Sequence, residues 1–289
     1  MKRLPSFAYI LAANIEEASQ FLTGQMDKAK ILAGGTDLLV GMKEGKGGYK
    51  YLVDLKQITE LKTIKESTEG VEIGATTSLQ DIVDNTLIQK NWPALAQAVG
   101  MIGSVQIRVR ATIGGNISNA SPSADSVPPL IAYQAMAIVW SKDGKRQIPL
   151  KDFFNGPGTN VLEPGEILYS IYIPKPNDNT SCAYFKHGPR RAMDIAVINV
   201  AALVEMDTDG VCRQARIVMG AVAPTVLLAV EAETLLLGKK LNISLLEEAA
   251  LAAQAIARPI SDIRSSAEYR KDMVKVFTLR ALKKAAGLA

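Results

Sequence analysis

Apolar and polar positions follow a changing rhythm along this chain. Through residue 56 the pattern reads strand, helix, strand, helix, strand. FAYILAA is extended. IEEASQFLTG carries apolar residues at helical spacing and predicts a helix that stops at Gly24. AKILAGG is a short buried strand ended by a glycine pair, TDLLVGMKEG predicts a helix with Thr36 or Asp37 near its start, and YKYLVDL is another strand. Such alternation predicts an α/β unit.

From residue 57 to about 176 the pattern shifts. GVEIGATTSLQDIVDN predicts a strand and then a helix starting near Ser78; NWPALAQAVGMIGS predicts a helix with Pro93 in its first turn. TIGGNISNASPSADSVPPL, from Thr112, suits neither helix nor strand until a helix or turn near its end. AMAIVWSKDGKRQIPL predicts a hairpin turning at KDGK, and EILYSIYIP alternates as a strand. PKPNDNTS, residues 174–181, is the candidate linker. Beyond it, VINVAALVEM and VCRQARIVMGAV flank DTDG as an antiparallel hairpin, and TVLLAVEAETLLLG, ISLLEEAALAAQAIA and SAEYRKDMVKVFTLRALKKAA predict helices.

Composition narrows the function classes. The 289 residues are 48% apolar and 21% charged, enough for a packed core and against intrinsic disorder. The net charge of +4 is spread thinly, without the basic stripe of a nucleic-acid binder. Pro5, Glu16 and Glu17 argue against a secretory signal, and no apolar run reaches the roughly 20 residues of a membrane span, so a cytoplasmic location is expected. Cys182 and Cys212 are the only cysteines and His187 the only histidine. That excludes a resident iron–sulfur cluster held by four thiolates and a zinc site built from His and Cys. His187, beside GPRR, reads as a loop residue.

Two glycine pairs carry the candidate chemistry: ILAGGTDLL, from Ile31, and TIGGNIS, from Thr112. A diphosphate needs bare backbone, because consecutive N–H groups without Cβ atoms can all point at its oxygens. Either pair alone reads more readily as a structural turn. GMKEGKGG departs from a P-loop in spacing and lacks its Ser or Thr, and GPGTNV lacks the context of a dinucleotide fingerprint, so a Pro/Gly turn fits it better.

The segments ILAGGTDLLVGMK, QIRVRATIGGNISNASPSADSVPPLIAYQA, GEILYSIYIP and FKHGPRRAMDIAVINVA together resemble the FAD-binding (medium) subunit of the molybdenum hydroxylases. Bacterial xanthine dehydrogenase FAD subunits, which share the GPG turn and the MDI segment, are the nearest in this resemblance. It implies an α+β chain: a two-lobed FAD-binding domain of the vanillyl-alcohol-oxidase-like type over residues 1–176, with lobes at about 1–56 and 57–176. A smaller C-terminal α+β domain over 177–289, with an antiparallel sheet and helices, would follow.

The resemblance also implies a site. Leu32, Ala33, Gly34, Gly35, Thr36 and Asp37 would wrap the FAD diphosphate, and Thr112, Ile113, Gly114, Gly115 and Asn116 would close on it from the second lobe. Asn119 and Asp125 would hydrogen-bond the cofactor, and Leu168 and Lys186 would border the flavin ring. From the residues alone, Asp125 reads more readily as a turn residue or cap, and Lys186 could be an ordinary surface lysine. Arg190, Arg191 and Asp194 would form an ion-pair network or a subunit contact; Arg108 and Arg110 would anchor the second loop or face a partner.

The implied activity is electron transfer, with no catalytic side chain on this chain. Molybdopterin would sit on a large partner subunit and [2Fe–2S] centres on a small one, with FAD here passing electrons to NAD+ or another acceptor. Too few thiols and no inserted segment disfavour the hydroxybenzoyl-CoA reductase branch. Carbon monoxide, nicotinate and aldehyde dehydrogenases share the resemblance. A stand-alone FAD-dependent oxidase and a scaffold without cofactor are the open rivals.

Overall fold

The computed structural model describes residues 3–190 and 192–288, so Arg191 lies outside the described residues. The first lobe is a three-stranded parallel sheet in the order Ala8–Leu11, Tyr51–Asp54, Ala29–Leu32. Its middle strand, Tyr51–Asp54, is buried at Leu52, Val53 and Asp54, as expected of a parallel strand covered on both faces. The helix Ile15–Gln25 buries Ile15, Ala18, Ser19 and Leu22, a stripe at helical spacing. Asn14 caps it by accepting from the Glu17 N–H at 2.8 Å, and Glu17 returns a bond to the Ala13 N–H at 2.9 Å. The helix does not stop at Gly24. It runs one residue further and is capped by Met26 at φ +42°, whose N–H bonds the Leu22 carbonyl.

The second lobe is a five-stranded antiparallel sheet in the order Ile64–Glu66, Gly70–Gly74, Ile167–Pro174, Met136–Ser141, Gly144–Pro149. The last strand in sequence is thus its central strand, flanked by the pairs before it. Helices Leu79–Asp84, Pro93–Gly100 and Val127–Ala132 bury their apolar faces in this lobe's core. Ser78 caps the first of these by accepting from the Asp81 N–H at 3.0 Å. Trp92, buried in the same core, donates Nε1–H to the Pro174 carbonyl at 3.0 Å.

A four-stranded antiparallel sheet follows, in the order Thr180–His187, Ile198–Met206, Cys212–Gly220, Leu227–Leu228. Helices Val230–Leu236, Ile243–Ile256 and Ala267–Ala285 contribute to the core on one face of it. Its side chains divide by parity. Val200, Ala202, Val204, Ile217 and Met219 join that helical core, while Tyr184, Ala201, Leu203 and Val218 join the core of the second lobe. His187 is the last residue of a strand rather than a loop residue, with Nε2 at 3.1 Å from the Tyr269 hydroxyl. Cys182 and Cys212 are free thiols on strands separated by Ile198–Met206.

Candidate functional site

The strand Ala29–Leu32 ends in the first glycine loop, and the helix Leu38–Lys43 begins beyond it. Gly35 sits at φ +75°, a left-handed conformation that favours glycine. Gly34 lies directly on the backbone of the other lobe: a Cβ there would stand 2.2 Å from the Arg110 carbonyl oxygen and 2.8 Å from Ala111 Cα. The two glycine loops therefore meet, since Ala111 immediately precedes Thr112. Among the described residues, none of the six N–H groups of residues 33–38 has a protein acceptor. The loop's carbonyls are engaged: Gly35 accepts from Leu39 N at 3.0 Å and Asp37 from Gly41 N at 2.8 Å. Asp37 is exposed, and its side chain makes no cap hydrogen bond.

The second loop differs from the expectation of an irregular stretch. Ile113–Ser118 is a helix, with Thr112 as its cap. Its amides are committed inside the protein: Ile113 N to Thr77 O at 3.1 Å, Gly114 N to Ala75 O at 2.9 Å, Gly115 N to Thr112 Oγ1 at 3.1 Å and Asn116 N to Thr112 O at 2.9 Å. Gly114 is a packing glycine, since a Cβ would fall 2.6 Å from Ala75 Cβ and 2.7 Å from the Ala75 carbonyl. Gly115 is exposed, and a Cβ there would meet only the cap oxygen of Thr112, at 2.9 Å. Asn116 Oδ1 accepts from the Ser126 hydroxyl at 2.6 Å, and Asn119 is exposed just past the helix end. The GPG turn lies between strands Phe154–Gly156 and Thr159–Asn160, and supports the helix end: Gly158 N donates to Ala120 O at 3.0 Å and Asn160 Nδ2 to Ser118 O at 2.9 Å. Thr76 Oγ1, next in sequence to the Ala75 that Gly114 packs on, is a buried hydroxyl without a partner among the described residues.

Asp125 and Lys186 are brought to each other. Lys186 Nζ donates to Asp125 Oδ2 at 2.7 Å, and to the carbonyls of Asp194 at 2.7 Å and Met101 at 3.3 Å, which uses all three of its donors. Asp125 Oδ1 accepts from the Tyr184 hydroxyl at 2.6 Å and from Asn199 Nδ2 at 3.1 Å. Both side chains of the pair are nine-tenths buried, with 6% and 7% exposure. Burial pushes the Asp125 carboxyl up, and Lys186, Tyr184 and Asn199 oppose that shift. The pair ties the second lobe to the C-terminal sheet, so neither residue is a simple turn or surface residue. Leu168 is buried opposite Val139, in the same core as Ile113 and Tyr184. Arg190 pairs with Asp194 at 3.8 Å, and Arg108 anchors the segment before the second loop by donating to Ile102 O and Gln80 Oε1, each at 3.0 Å.

Sequence reasoning missed a polar cluster beside the first loop. Asp54, fully buried at the end of the middle strand, accepts from Lys56 Nζ, from the Tyr9 hydroxyl and, at 2.7 Å, from Lys56 N. Burial alone would raise its carboxyl, but these donors outweigh it and hold Asp54 below its ordinary value. Lys56 Nζ also reaches the Ala33 carbonyl at 3.4 Å. The available signal was a lone aspartate ending an apolar strand with a lysine two positions on, a spacing that puts both on one side of extended chain.

Residues 5–176 match the family described as the FAD binding domain in molybdopterin dehydrogenase. Residues 183–285 match the CO dehydrogenase flavoprotein C-terminal domain. Among curated proteins, the chain is 36% identical to the glyceraldehyde dehydrogenase medium chain of Sulfolobus acidocaldarius, over 98% of this chain and 99% of that one. It is 34% identical to a xanthine dehydrogenase FAD-binding subunit of Escherichia coli, over 98% and 97% of the two chains. Among solved structures, it superposes on a chain of the carbon monoxide dehydrogenase of Hydrogenophaga pseudoflava with a TM-score of 0.96, at 34% identity and 99% coverage of both chains.

Proposed function

The chain belongs to the family of FAD-binding subunits of the molybdopterin dehydrogenases, and from that membership we propose that it is the electron-transfer subunit of a hetero-oligomeric molybdenum hydroxylase. One observation carries the reading of the site: six consecutive amides without protein acceptors, in a glycine loop seated on the backbone of the opposite lobe. Such a run of unpaired donors suits an anion with many oxygens. The residues fit FAD. Ala33, Gly34, Gly35, Thr36 and Asp37 would hold the diphosphate through backbone N–H groups, with Leu32 ending the strand that leads into them. Thr112, Ile113 and Gly114 set the position of the second loop rather than donating to it. Gly115, Asn116 and Asn119 present its accessible surface. Asp125, Leu168 and Lys186 shape the ring end, and Lys186 does so by fixing the Met101 and Asp194 carbonyls.

FAD, when bound, supplies the exchange of single electrons with iron–sulfur centres and of a hydride with a nicotinamide. In this reading the iron–sulfur and molybdopterin centres sit on the small and large partner subunits, and NAD+ is the acceptor, as in a xanthine dehydrogenase-type complex. The chain's own residues bind and orient the cofactor; no side-chain nucleophile or base is required. The substrate would be chosen by the partner's molybdenum pocket, in keeping with relatives named for glyceraldehyde, xanthine and carbon monoxide. No helix among the described residues is long and apolar enough to cross a membrane.

The experiment is purification of the full chain with and without its co-expressed partners. The expected result is yellow protein with flavin absorption, eluting with larger and smaller subunits, and bleached on addition of the complex's reducing substrate. Colourless protein that takes up no added FAD would overturn the reading.

Gly115 allows a cleaner test of the site. A Cβ there meets only the Thr112 hydroxyl, at 2.9 Å, so valine displaces that cap oxygen while occupying the face turned to the cofactor. Gly115→Val is expected to lower the melting temperature by less than a backbone clash would and to lose flavin on gel filtration. Full flavin occupancy in that variant would place the cofactor elsewhere.

A further inference from the structure

Ala33 opens the run of free amides, but its carbonyl is not free. Lys56 Nζ donates to it at 3.4 Å and at the same time to Asp54 Oδ2. Asp54 cannot swing away. Its side chain is fully buried, its Oδ1 accepts from the Lys56 backbone N–H at 2.7 Å, and its Oδ2 also takes the Tyr9 hydroxyl. Leu32 and Asp54 are direct partners in the parallel sheet, so the ammonium bridges neighbouring strands just where one of them becomes the loop.

The peptide joining Ala33 to Gly34 is trans, like all those described. In a trans peptide the C=O and the N–H point in opposite directions. Drawing the Ala33 carbonyl towards Lys56 therefore aims the Gly34 N–H the other way. Gly34 has no side chain to fix that plane, and the Arg110 carbonyl leaves no room for one, so the plane depends on what holds the Ala33 carbonyl. We propose that Lys56, seated on Asp54, is a positioning residue: it sets the Ala33–Gly34 peptide plane and so preorganises the amide run for a diphosphate. The inference rests on the FAD reading of that loop. Lys56 acts through the carbonyl and need not touch the cofactor.

The test is FAD affinity of the full chain, measured by flavin fluorescence on protein freed of cofactor, beside the melting temperature of the same apo samples. Lys56→Met is expected to raise the FAD dissociation constant about tenfold, the equivalent of one charge-assisted hydrogen bond, and also to lower the apo melting temperature, because it leaves the buried Asp54 without its counter-charge; Lys56→Arg should reverse both effects. Lys56→Arg, which can donate to both oxygens, should restore affinity to within about twofold of wild type. Tyr9→Phe, which removes one donor to Asp54 and keeps the ring, should weaken FAD in the same direction by a smaller factor. Wild-type affinity in Lys56→Met would overturn the inference. So would a fall in apo melting temperature that Lys56→Arg does not reverse, since that is the mark of a purely structural lysine. Wild-type chain that binds no FAD would instead overturn the function on which the inference rests.

Discussion

Gly34→Ala is expected to strip the chain of flavin and to loosen its two lobes in the same step. The single added carbon would sit 2.2 Å from the Arg110 carbonyl oxygen and 2.8 Å from Ala111 Cα. Both obstacles are backbone, which no rotamer change can clear. Overpacking costs roughly 1–3 kcal/mol where side chains can adjust, and a clash with main chain on both sides of a lobe contact belongs at about 3 kcal/mol. The displacement also carries the amides of residues 33–38 away from Thr112 and the second helix, so cofactor binding falls with stability. Urea unfolding of the apo chain and the flavin-to-protein ratio of the purified variant measure the two effects. Gly115→Val separates them, losing flavin with a smaller loss of stability, since it crowds a side-chain oxygen rather than backbone. A Gly34→Ala variant with wild-type stability and full flavin would show that the lobes do not meet through this residue.

The contrast between these glycines marks where the sequence stops being informative. Strand, helix and hairpin signals are local, and many held: Ser78 caps its helix, and KDGK and DTDG turn their hairpins, but Gly24 does not end its helix and TVLL, read as a helix start, holds the short strand Leu227–Leu228. VAALV, after Asn199, reads as an unbroken apolar run because alternate side chains enter two different cores. TIGGNIS misleads because its helix is stabilised from outside. The Thr112 cap and the Ala75 and Thr77 carbonyls supply what glycine propensity lacks, and those two carbonyls come from a distant part of the chain. The two glycine pairs look alike in sequence yet do different work. The first leaves its amides free; the second uses Gly114 to approach Ala75 and Gly115 to leave a surface open. The contacts between loops, and the Asp125–Lys186 pair across 61 positions, are tertiary facts that no local pattern encodes.

That pair yields the second large effect. Lys186→Met is expected to destabilise the chain by about 3–5 kcal/mol, because it leaves a buried carboxylate without its counter-charge. The loss should depend on pH. Burial already raises the Asp125 carboxyl, and Lys186 is the first of the groups opposing that shift, so its removal raises the carboxyl further. A carboxyl raised in the folded state stabilises the fold when protonated. That contribution is fully present below the unfolded-state value and is lost as pH rises through the folded-state value. The variant's deficit, measured by denaturant unfolding, should therefore be larger near pH 8 than near pH 5. Adding Asp125→Asn removes the stranded charge and keeps an acceptor for Tyr184, so the double variant should recover most of the loss near pH 8. A deficit of the same size at both pH values, with no recovery in the double variant, would mean that Lys186 stabilises through its packed stem and its carbonyl bonds. The cross-domain tie would then be one of shape rather than charge.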